Sequence, residues 1–337
     1  MINNKANPYV IAEVGANHQG DIEIAKRYIN TFKEKGASAI KFQMRDNKSL
    51  FSEEAYNRPY VNDNSFGATY GEHREFLEFD DQQYRELKAE CRRVGVDFMA
   101  TPFDEASLEK ALRIGVDRIK IASFDCGNLP YLQQVAESGL PVVLSTGGSS
   151  IRNIEASVRV FNERGYSRHN FSLLHCVSQY PCAPEDLNLA RIASWIDKFP
   201  GATIGLSDHF NGVLSGALAA MLGASVFEKH VTFDRSWRGT DHKFSLEPEG
   251  FRKFVRDIER VELMMGDPGY ESDGSEAVFA KLGKVICAAE DLAAGELVTM
   301  ENIRGRICTR GIPVRMIGEV IGMPLAEDCA KGDPVVV

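Results

Sequence analysis

Hydrophobic residues in the first 265 positions are concentrated in eight short runs, each followed by a polar loop and then by a helix-like pattern. The runs are nearly continuous rather than alternating, which is typical of parallel strands covered by helices on both faces. The sequence therefore predicts eight parallel strands, at Tyr9–Val14, Ala39–Met44, Asp97–Ala100, Arg118–Ala122, Pro141–Ser145, Asn170–His175, Ala202–Leu206 and Ser225–Lys229.

Between these runs, apolar residues recur at helical spacing. The clearest predicted helices are Asp21–Lys35, Asp81–Val94, Asp104–Ile114 and Pro248–Met265. Capping residues mark their ends, with N-caps at Asp21, Asp81 and Asp104 and C-caps at Gly36, Gly95 and Gly115. Eight strand–helix alternations predict an α/β fold of the (β/α)₈ TIM-barrel type. The alternative is a doubly wound open sheet, which usually begins with a Gly-rich turn that this chain lacks.

The pattern changes near the C-terminus. Gly, Ser, Asp and Pro are frequent just after residue 265, and short Val/Ile runs separated by Gly and Pro follow. These runs are Lys284–Ala289, Leu297–Thr299, Ile303–Ile307, Glu319–Gly322 and Pro334–Val337. We predict a barrel domain over 1–268, a linker over 269–281 and a small β-rich domain over 282–337. A domain of this size is marginal alone, so we expect it to dock on another surface.

Composition narrows the functional classes. A net charge of −9 argues against a general nucleic-acid or membrane surface, which would need a basic face. No apolar run approaches the ~20 residues that cross a bilayer, and the first residues lack a secretory apolar region. The 7 cysteines are scattered without a C-x-x-C pair, as in reduced intracellular proteins. We expect a cytoplasmic protein with no nucleic-acid or membrane partner.

Polar side chains follow the predicted strands at one end, where barrel enzymes carry their chemistry. Lys41 and Lys120 alternate with apolar neighbours, so both should point into the barrel. Two inward lysines near hydroxyl groups suit a ligand with a phosphate and a carboxylate. The alternative is that the lysines form ion pairs with barrel carboxylates such as Glu13. The neighbouring hydroxyl groups belong to Thr101, Ser123 and Ser207.

Two histidines end adjacent predicted strands. His209 and His230 follow the seventh and eighth runs, so their imidazoles should lie close together. Two neutral imidazoles can hold a divalent metal that keeps open positions for water and substrate, and so few ligands favour Mn²⁺ or Mg²⁺ over structural zinc. The alternative for either residue is an ordinary core histidine.

These motifs together resemble the sialic acid (N-acetylneuraminate) synthase family over nearly the whole chain. The resemblance implies a TIM barrel followed by an antifreeze-like (SAF, β-clip) domain, and a domain-swapped homodimer. It also implies condensation of phosphoenolpyruvate with an open-chain hexosamine-type aldehyde, giving a sialic-acid-like nonulosonic acid and phosphate. The matching segments are Ile11–Gly20, Lys41–Gln43, Ala100–Phe103, Lys120–Ser123, Leu144–Gly147, Leu174–Cys176, Tyr180–Pro181, Ile204–His209 and Glu228–His230.

The resemblance also implies residue roles. A divalent metal, Mn²⁺ before Mg²⁺ or Co²⁺, would be held by His209 and His230. Phosphoenolpyruvate would be bound by Lys41, Thr101, Lys120, Ser123, Ser178 and Ser207. The sugar would be bound by Glu13, Gln43, Asp125, Tyr180, Asp241 and Arg310. The expected catalytic set is Glu13, Lys41, Lys120, Asp125, His209 and His230.

Two positions depart from the family pattern. Asp125 stands where a glutamate is expected, and Ile307 aligns with the arginine that reaches the sugar's acetamido group. Arg306, Arg310 and Arg315 are the candidate replacements.

The acceptor therefore stays open, with Kdn, legionaminate, pseudaminate and spore-coat polysaccharide pathways as alternatives. A Kdo-8-phosphate or DAHP type of condensation is a more distant alternative. A non-catalytic protein that binds ice or polysaccharide is another.

Overall fold

The structure is a computed structural model that describes residues 8–272 and 275–337. The chain separates into two compact units, Met1–Met265 and Gly266–Val337. The division lies close to the predicted end of the barrel domain at residue 268. None of the helices in the described ranges is both long enough and apolar enough to span a membrane.

The first unit is a closed barrel of eight parallel strands in sequential order, so the TIM-barrel prediction is confirmed and the open sheet is excluded. Closure comes from pairing of the first strand with the eighth, from Tyr9 opposite Val226 to Glu13 opposite His230. The strands are β1 (Tyr9–Gly15), β2 (Ala39–Met44), β3 (Asp97–Pro102), β4 (Arg118–Ile121), β5 (Val142–Ser145), β6 (Phe171–Cys176), β7 (Thr203–Asp208) and β8 (Val226–His230).

Several strands run further toward their C-terminal ends than the apolar runs predicted. β3, β7 and β8 continue through Thr101, Asp208 and His230, so these polar residues lie in the sheet rather than in loops. The apolar run underestimates such a strand because its last residues face a polar cavity instead of a core.

Helices surround the barrel. Those of the first unit are α1 (Ile22–Glu34), α2 (Asn47–Leu50), α3 (Glu53–Asn57), α4 (Tyr70–Leu77), α5 (Asp81–Val94), α6 (Glu105–Ile114), α7 (Leu129–Glu137), α8 (Ile151–Glu163), α9 (Arg191–Lys198), α10 (Leu214–Met221) and α11 (Pro248–Met265). Asp21 and Asp104 cap α1 and α6 as predicted. The N-cap predicted at Asp81 is wrong, because Asp80 accepts the Gln83 amide at 2.8 Å and forms a capping box there.

Of the three glycine C-caps that the sequence predicted, two are confirmed. Gly95 and Gly115 are C-caps in the left-handed conformation, where a side chain would be strained. The C-cap predicted at Gly36 is wrong by one residue, because the C-cap of α1 is Lys35. Gly36 follows it in a left-handed conformation, with φ 98°.

Two apolar layers hold the first unit together. Ile11, Met99 and Leu174 lie in a cluster of buried residues supplied by β1, β2, β3, β5, β6 and β8. A much larger cluster joins the strands to the surrounding helices, with Phe32, Phe98 and Phe161 fully buried in it. The first cluster closes the barrel interior below the polar strand ends, so any ligand must approach from the C-terminal side.

The second unit is small and built around an antiparallel pair, β9 (Lys284–Ala288) with β10 (Ile303–Ile307). Isolated bridges at Leu297 and Pro334 accompany the pair at two of the other predicted runs. The run Glu319–Gly322 was predicted as β-structure, but it overlaps the short helix α13 (Ile317–Val320). The predicted linker contains all but the last residue of a short helix, α12 (Ala277–Leu282).

Gly205 on β7 lies where the barrel strands pack too closely for any side chain. A Cβ on this residue would lie 2.1 Å from the Val226 carbonyl oxygen and 2.5 Å from Leu174 Cδ2, so Gly205→Ala must push two strands apart. We expect Gly205→Ala to lower the free energy of unfolding by about 1–3 kcal/mol, the usual cost of overpacking. Denaturant titration would measure it. Gly250→Ala on α11, where a Cβ makes ordinary contacts with Leu246, is the matched control and should lose nothing.

Candidate active site

The barrel register places a polar ring at the C-terminal end of the strands. Glu13 on β1 lies opposite both Lys41 on β2 and His230 on β8, and Ser207 on β7 lies opposite Glu228 on β8. Because side chains alternate along a strand, Glu228 and His230 point inward and the intervening Lys229 points outward. The ring opens into a cavity of about 720 Å³.

Four buried charges form what we call the charge network at the base of this cavity. Lys41 Nζ lies 2.8 Å from Glu13 and 3.7 Å from Glu228, and Lys120 Nζ lies 3.8 Å from Glu228. All four side chains are 5% exposed or less, so water cannot replace these contacts. The ion pairs that the sequence allowed as an alternative are therefore present, and the same lysines line the cavity.

Hydroxyl groups complete the surroundings of the charge network. Lys41 Nζ donates to Thr101 Oγ1 at 2.9 Å, and Ser207 Oγ donates to Glu228 at 3.1 Å. Lys120 Nζ donates to its neighbouring carbonyl, Ile121 O, at 3.0 Å. Ser145 Oγ lines the cavity, is buried, and has no hydrogen-bond partner among the described residues. An unpaired buried hydroxyl costs about 1–3 kcal/mol, so a polar ligand at this point would be stabilised.

Opposing effects set the protonation of the lysines. Burial alone would lower the pKa of Lys41, but Glu13 and Glu228 hold it above its ordinary value. Burial lowers the pKa of Lys120, and the charge of Lys41 adds to this while Glu228 opposes it. The two lysines thus differ in proton affinity although both lie in one cavity.

The two predicted histidines meet at the rim of the charge network. Their ring centroids are 5.5 Å apart. His209 Nδ1 lies 2.9 Å from the Val177 carbonyl oxygen, which fixes the proton on Nδ1 and leaves Nε2 as an acceptor. His230 Nδ1 is buried without a hydrogen-bond partner among the described residues, and Asp241 Oδ2 is 3.9 Å from it.

The ligand atoms at this rim suit a divalent metal. Imidazole nitrogens and a carboxylate are ligands that Mn²⁺ and related divalent ions accept. Two imidazole nitrogens without competing protein donors, with Asp241 beside them, fit an ion that keeps several positions for water or substrate. Within residues 8–272 and 275–337, no three His, Cys, Asp or Glu side chains are arranged to hold a metal by themselves.

The turn that carries His209 is fixed by a second, separate ion pair. Lys229 Nζ lies 2.7 Å from Asp208 Oδ2, and both side chains are fully buried. Asp208 also accepts the Phe210 amide at 2.9 Å and the Ser215 hydroxyl at 2.5 Å, while Lys229 donates to the Phe210 carbonyl. These contacts immobilise the backbone on both sides of His209.

The segment between β2 and α5 contributes a wall of the cavity that the sequence patterns did not reveal. This β2–α5 segment (residues 46–80) contains α2, α3 and α4, each begun by a side-chain cap, from Asp46, Ser52 and Thr69. It brings to the cavity Leu50, Phe51, Asn64, Tyr70 and Arg74.

Most of the predicted site residues are brought together. Those lining the cavity are Glu13, Lys41, Gln43, Thr101, Lys120, Ser123, Asp125, Tyr180, Ser207, His209, His230 and Asp241. Ser178 does not line it; its Oγ would lie 2.1 Å from a Cβ on Gly147, so a larger residue there would displace the Ser178 side chain. Arg310 belongs to the second unit and follows β10.

Sequence reasoning missed three charged residues of the cavity, Glu228, Arg45 and Arg74. Glu228 could have been found, because it stands two residues before His230 on one strand and therefore shares its inward face. The arginines gave no comparable signal, since one follows β2 and the other lies on the short helix α4.

A closed (β/α)₈ barrel with paired lysines, carboxylates and histidines at its C-terminal mouth is the framework of a barrel enzyme. The chain belongs to the NeuB family, whose model matches residues 28–270.

Named relatives agree with this assignment. The N-acetylneuraminate-9-phosphate synthase of Mus musculus is 37% identical over 97% of this chain and 91% of its own length. The N,N'-diacetyllegionaminic acid synthase of Legionella pneumophila is 33% identical over 96% of this chain and 92% of its own. The crystal structure of an N-acetylneuraminic acid synthetase from Leptospira borgpetersenii, in complex with citrate, superposes with a TM-score of 0.70. It is 35% identical and covers 80% of this chain and 89% of its own.

The buried pair beside His209 can be tested by stability. Lys229→Ala would leave Asp208 as an uncompensated buried charge, so we expect the free energy of unfolding to fall by about 3–5 kcal/mol. Denaturant titration would measure the loss. Lys198, which pairs with Glu155 at 2.6 Å while both are about 40% exposed, is the control. Lys198→Ala should cost no more than about 1 kcal/mol, and equal losses for the two variants would contradict the assigned role.

Proposed function

We propose that the protein condenses phosphoenolpyruvate with the open-chain aldehyde of a hexosamine-type sugar. The products are a sialic-acid-like nonulosonic acid and inorganic phosphate. The observation that carries this proposal is the convergence of Lys41, Lys120 and their partner carboxylates beneath His209 and His230 in one cavity. The NeuB family assignment supports the same reaction class.

The charge network is the proposed site for phosphoenolpyruvate. Lys41 and Lys120 supply two buried cations for a ligand that carries a phosphate and a carboxylate. Hydroxyl groups would supply the remaining hydrogen bonds, from Thr101, Ser123 and Ser207. Because Glu13 and Glu228 already orient the lysines, little side-chain freedom is lost on binding.

The acceptor sugar would lie above this site. Gln43 Nε2 donates to Glu13 at 2.8 Å, and Asp125 accepts the Asn128 side-chain amide at 2.9 Å, so both proposed sugar contacts are held in place. Tyr180 and Asp241 stand beside the histidines. Burial raises the pKa of Asp125, because the carboxylate is partly removed from water.

The reaction needs one new carbon–carbon bond. C3 of phosphoenolpyruvate attacks the aldehyde carbon, and positive charge develops at C2. Water then adds to C2, and cleavage of the C2–O bond releases phosphate. Glu13 is the proposed base for the proton of that water, and the lysines stabilise the phosphate charge as it leaves.

His209 and His230 are the proposed ligands of a divalent metal, Mn²⁺ in preference to Mg²⁺ or Co²⁺. When bound, such an ion supplies Lewis-acid polarisation of the aldehyde oxygen. The hydrogen bond from His209 Nδ1 to Val177 O presents Nε2 to the cavity, and the unpaired Nδ1 of His230 is a second available donor atom.

We further propose that the second unit is an antifreeze-like (SAF) domain and that two chains form a domain-swapped homodimer in the cytoplasm. Each small domain would then cover the partner's barrel mouth and offer an arginine to the sugar. Ile307 occupies the position of the family's arginine and is exposed on β10. Arg310 is the proposed replacement, with Arg306 and Arg315 as alternatives.

The identity of the acceptor has a specific second candidate. The Mus musculus relative is named for N-acetylneuraminate 9-phosphate and the Legionella pneumophila relative for N,N'-diacetyllegionaminic acid. N-acetylmannosamine or a derivative is the first candidate, and a diacetamido sugar is the second. Kdn, pseudaminate and spore-coat precursors, and the arabinose or erythrose phosphates of Kdo-8-phosphate and DAHP synthesis, complete the acceptor panel.

An isotope experiment tests the reaction. Phosphoenolpyruvate labelled with oxygen-18 in the C2–O–P bridge would be mixed with the protein, Mn²⁺ and each acceptor, and the products read by mass spectrometry. We expect the label in the released phosphate, because the C2–O bond breaks. Label retained in the sugar acid would contradict C–O cleavage, and phosphate release that ignores the acceptor would contradict condensation.

Two substitutions separate the roles of the cavity residues. Lys120→Ala and His209→Ala should each reduce turnover by at least about 100-fold, the scale of losing one preorganised electrostatic group. Titration with Mn²⁺ followed by electron paramagnetic resonance should show weaker binding only for His209→Ala. Circular dichroism should show both variants folded. His169→Ala, at an exposed turn, is the histidine control. Near-normal turnover of Lys120→Ala or unchanged Mn²⁺ binding by His209→Ala would overturn the assignment.

A further inference from the structure

Two hydrogen bonds in series connect Arg45 with Glu13, the proposed base. Arg45 Nη2 donates to Gln43 Oε1 at 2.6 Å, and Gln43 Nε2 donates to Glu13 Oε1 at 2.8 Å. We call these three side chains the Arg45 relay, and all of them line the cavity. The proposed function gives roles to Glu13 and Gln43, but it leaves Arg45 without one.

Arg45 is held in one orientation by three separate contacts. Its side chain is 9% exposed, and Nη1 lies 3.4 Å from Glu78 Oε1. The other carboxylate oxygen of Glu78 accepts the backbone amide of Arg45 at 3.0 Å. The guanidinium carbon lies 4.0 Å from the centroid of the Phe103 ring, within range of a cation–π interaction. Backbone, guanidinium edge and guanidinium face are therefore all fixed, and Nη2 is presented to Gln43.

The chemistry of its two neighbours sets the orientation of the Gln43 amide. A guanidinium carries only hydrogen-bond donors, and an ionised carboxylate carries only acceptors. The amide oxygen of Gln43 must therefore face Arg45, and its NH₂ group must face Glu13. Turning the amide by 180° would bring N–H groups against N–H groups and oxygen against oxygen. Without Arg45 the amide oxygen would lose this partner, and the contact with Glu13 would have to hold the side chain alone.

The contact between Gln43 and Glu13 is closely confined. The Tyr84 hydroxyl donates to the backbone carbonyl of Gln43 at 2.7 Å. A Cβ on Gly15 would lie 3.3 Å from Gln43 Nε2 and 3.4 Å from Glu13 Oε1, so the end of β1 passes close to both atoms. Gly15 has φ 56°, a conformation that favours glycine. The backbone thus leaves little space for either side chain to rearrange.

We propose that Arg45 is a positioning residue for the condensation, which orients the Gln43 amide so that Gln43 in turn holds Glu13. This inference rests on the proposed function, in which Glu13 takes the proton of the attacking water. Glu13 Oε2 lies 2.8 Å from Lys41 Nζ and accepts no hydrogen bond from the described residues. With Oε1 occupied by Gln43, Oε2 is the oxygen left for that water. A base already in place loses little freedom when the substrates bind.

A double-mutant cycle on the full-length protein tests the route through Gln43. Phosphate release with Mn²⁺, phosphoenolpyruvate and the fastest acceptor of the panel would give kcat and KM for Arg45→Met, Gln43→Met and the double variant. We expect Arg45→Met to lower kcat by about 10- to 100-fold, the scale of a lost hydrogen bond to a charged group. The KM for phosphoenolpyruvate should change little, because Lys41 and Lys120 keep their partners. The double variant should match Gln43→Met within about twofold, since both substitutions break one relay.

Two further variants separate this role from the stability of the buried ion pair. Glu78→Gln removes the ion pair as Arg45→Met does, but it leaves the hydrogen bond to Gln43, so most of kcat should remain. Arg45→Lys keeps a donor for Gln43 and should recover part of the lost kcat. If circular dichroism shows Arg45→Met unfolded, Arg45→Met with Glu78→Gln replaces it, because that variant buries no unpaired charge. Losses that multiply in the double variant, or equal losses for Glu78→Gln and Arg45→Met, would overturn the positioning role.

A measurement without turnover distinguishes failure of the relay from failure of the reaction. In protein labelled with nitrogen-15 at the glutamine side chains, the amide signal missing from Gln43→Met identifies Gln43. We expect its protons to exchange with solvent at least about tenfold faster in Arg45→Met than in the wild type, because a hydrogen bond that holds the amide is lost. Unchanged exchange would refute the relay even if the condensation proceeds. Absence of turnover with every acceptor would contradict the condensation, and the exchange rates would still decide whether Arg45 orients Gln43.

Discussion

Four charged side chains buried at the base of one cavity constrain the first unit more than any other interaction. An isolated buried charge is far less stable than a solvated one, so each must keep its partner at short range. Glu13, Lys41 and Glu228 lie on three neighbouring strands, β1, β2 and β8, and their contacts depend on the register that closes the barrel. A slip of one residue would turn these charges into the apolar layer between strands and helices.

The need to pair these buried charges also preorganises the site for a ligand. Lys41 and Lys120 are held by carboxylates and hydroxyls rather than by water, so their positions do not depend on the solvent. Around the rim, His209 is held by a backbone carbonyl and by a turn fixed through Asp208. Rigid placement of this kind is what barrel strand ends provide, and flexible loops do not.

The barrel fold could be predicted from the sequence, because its strands are covered on both faces and therefore appear as apolar runs. Most cavity residues could be predicted as well, since alternation along a strand shows which side chains point inward, as at Lys41 and His230. Prediction from the sequence failed for the β2–α5 segment, whose three helices have only four to eight residues each and therefore show little periodicity. The N-cap at Asp80 was missed because two aspartates adjoin and only geometry distinguishes them.

The β2–α5 segment begins and ends on barrel elements, yet its own helices lie outside the repeating strand–helix units. Substitutions in it can therefore alter one wall of the cavity without changing strand register or the buried charges below. With such separation, a change confined to this segment would alter the acceptor wall and leave the charge network in place. Transplanting residues 46–80 between homologous barrels would be a compact route to altered sugar preference, because both junctions are already fixed by β2 and α5.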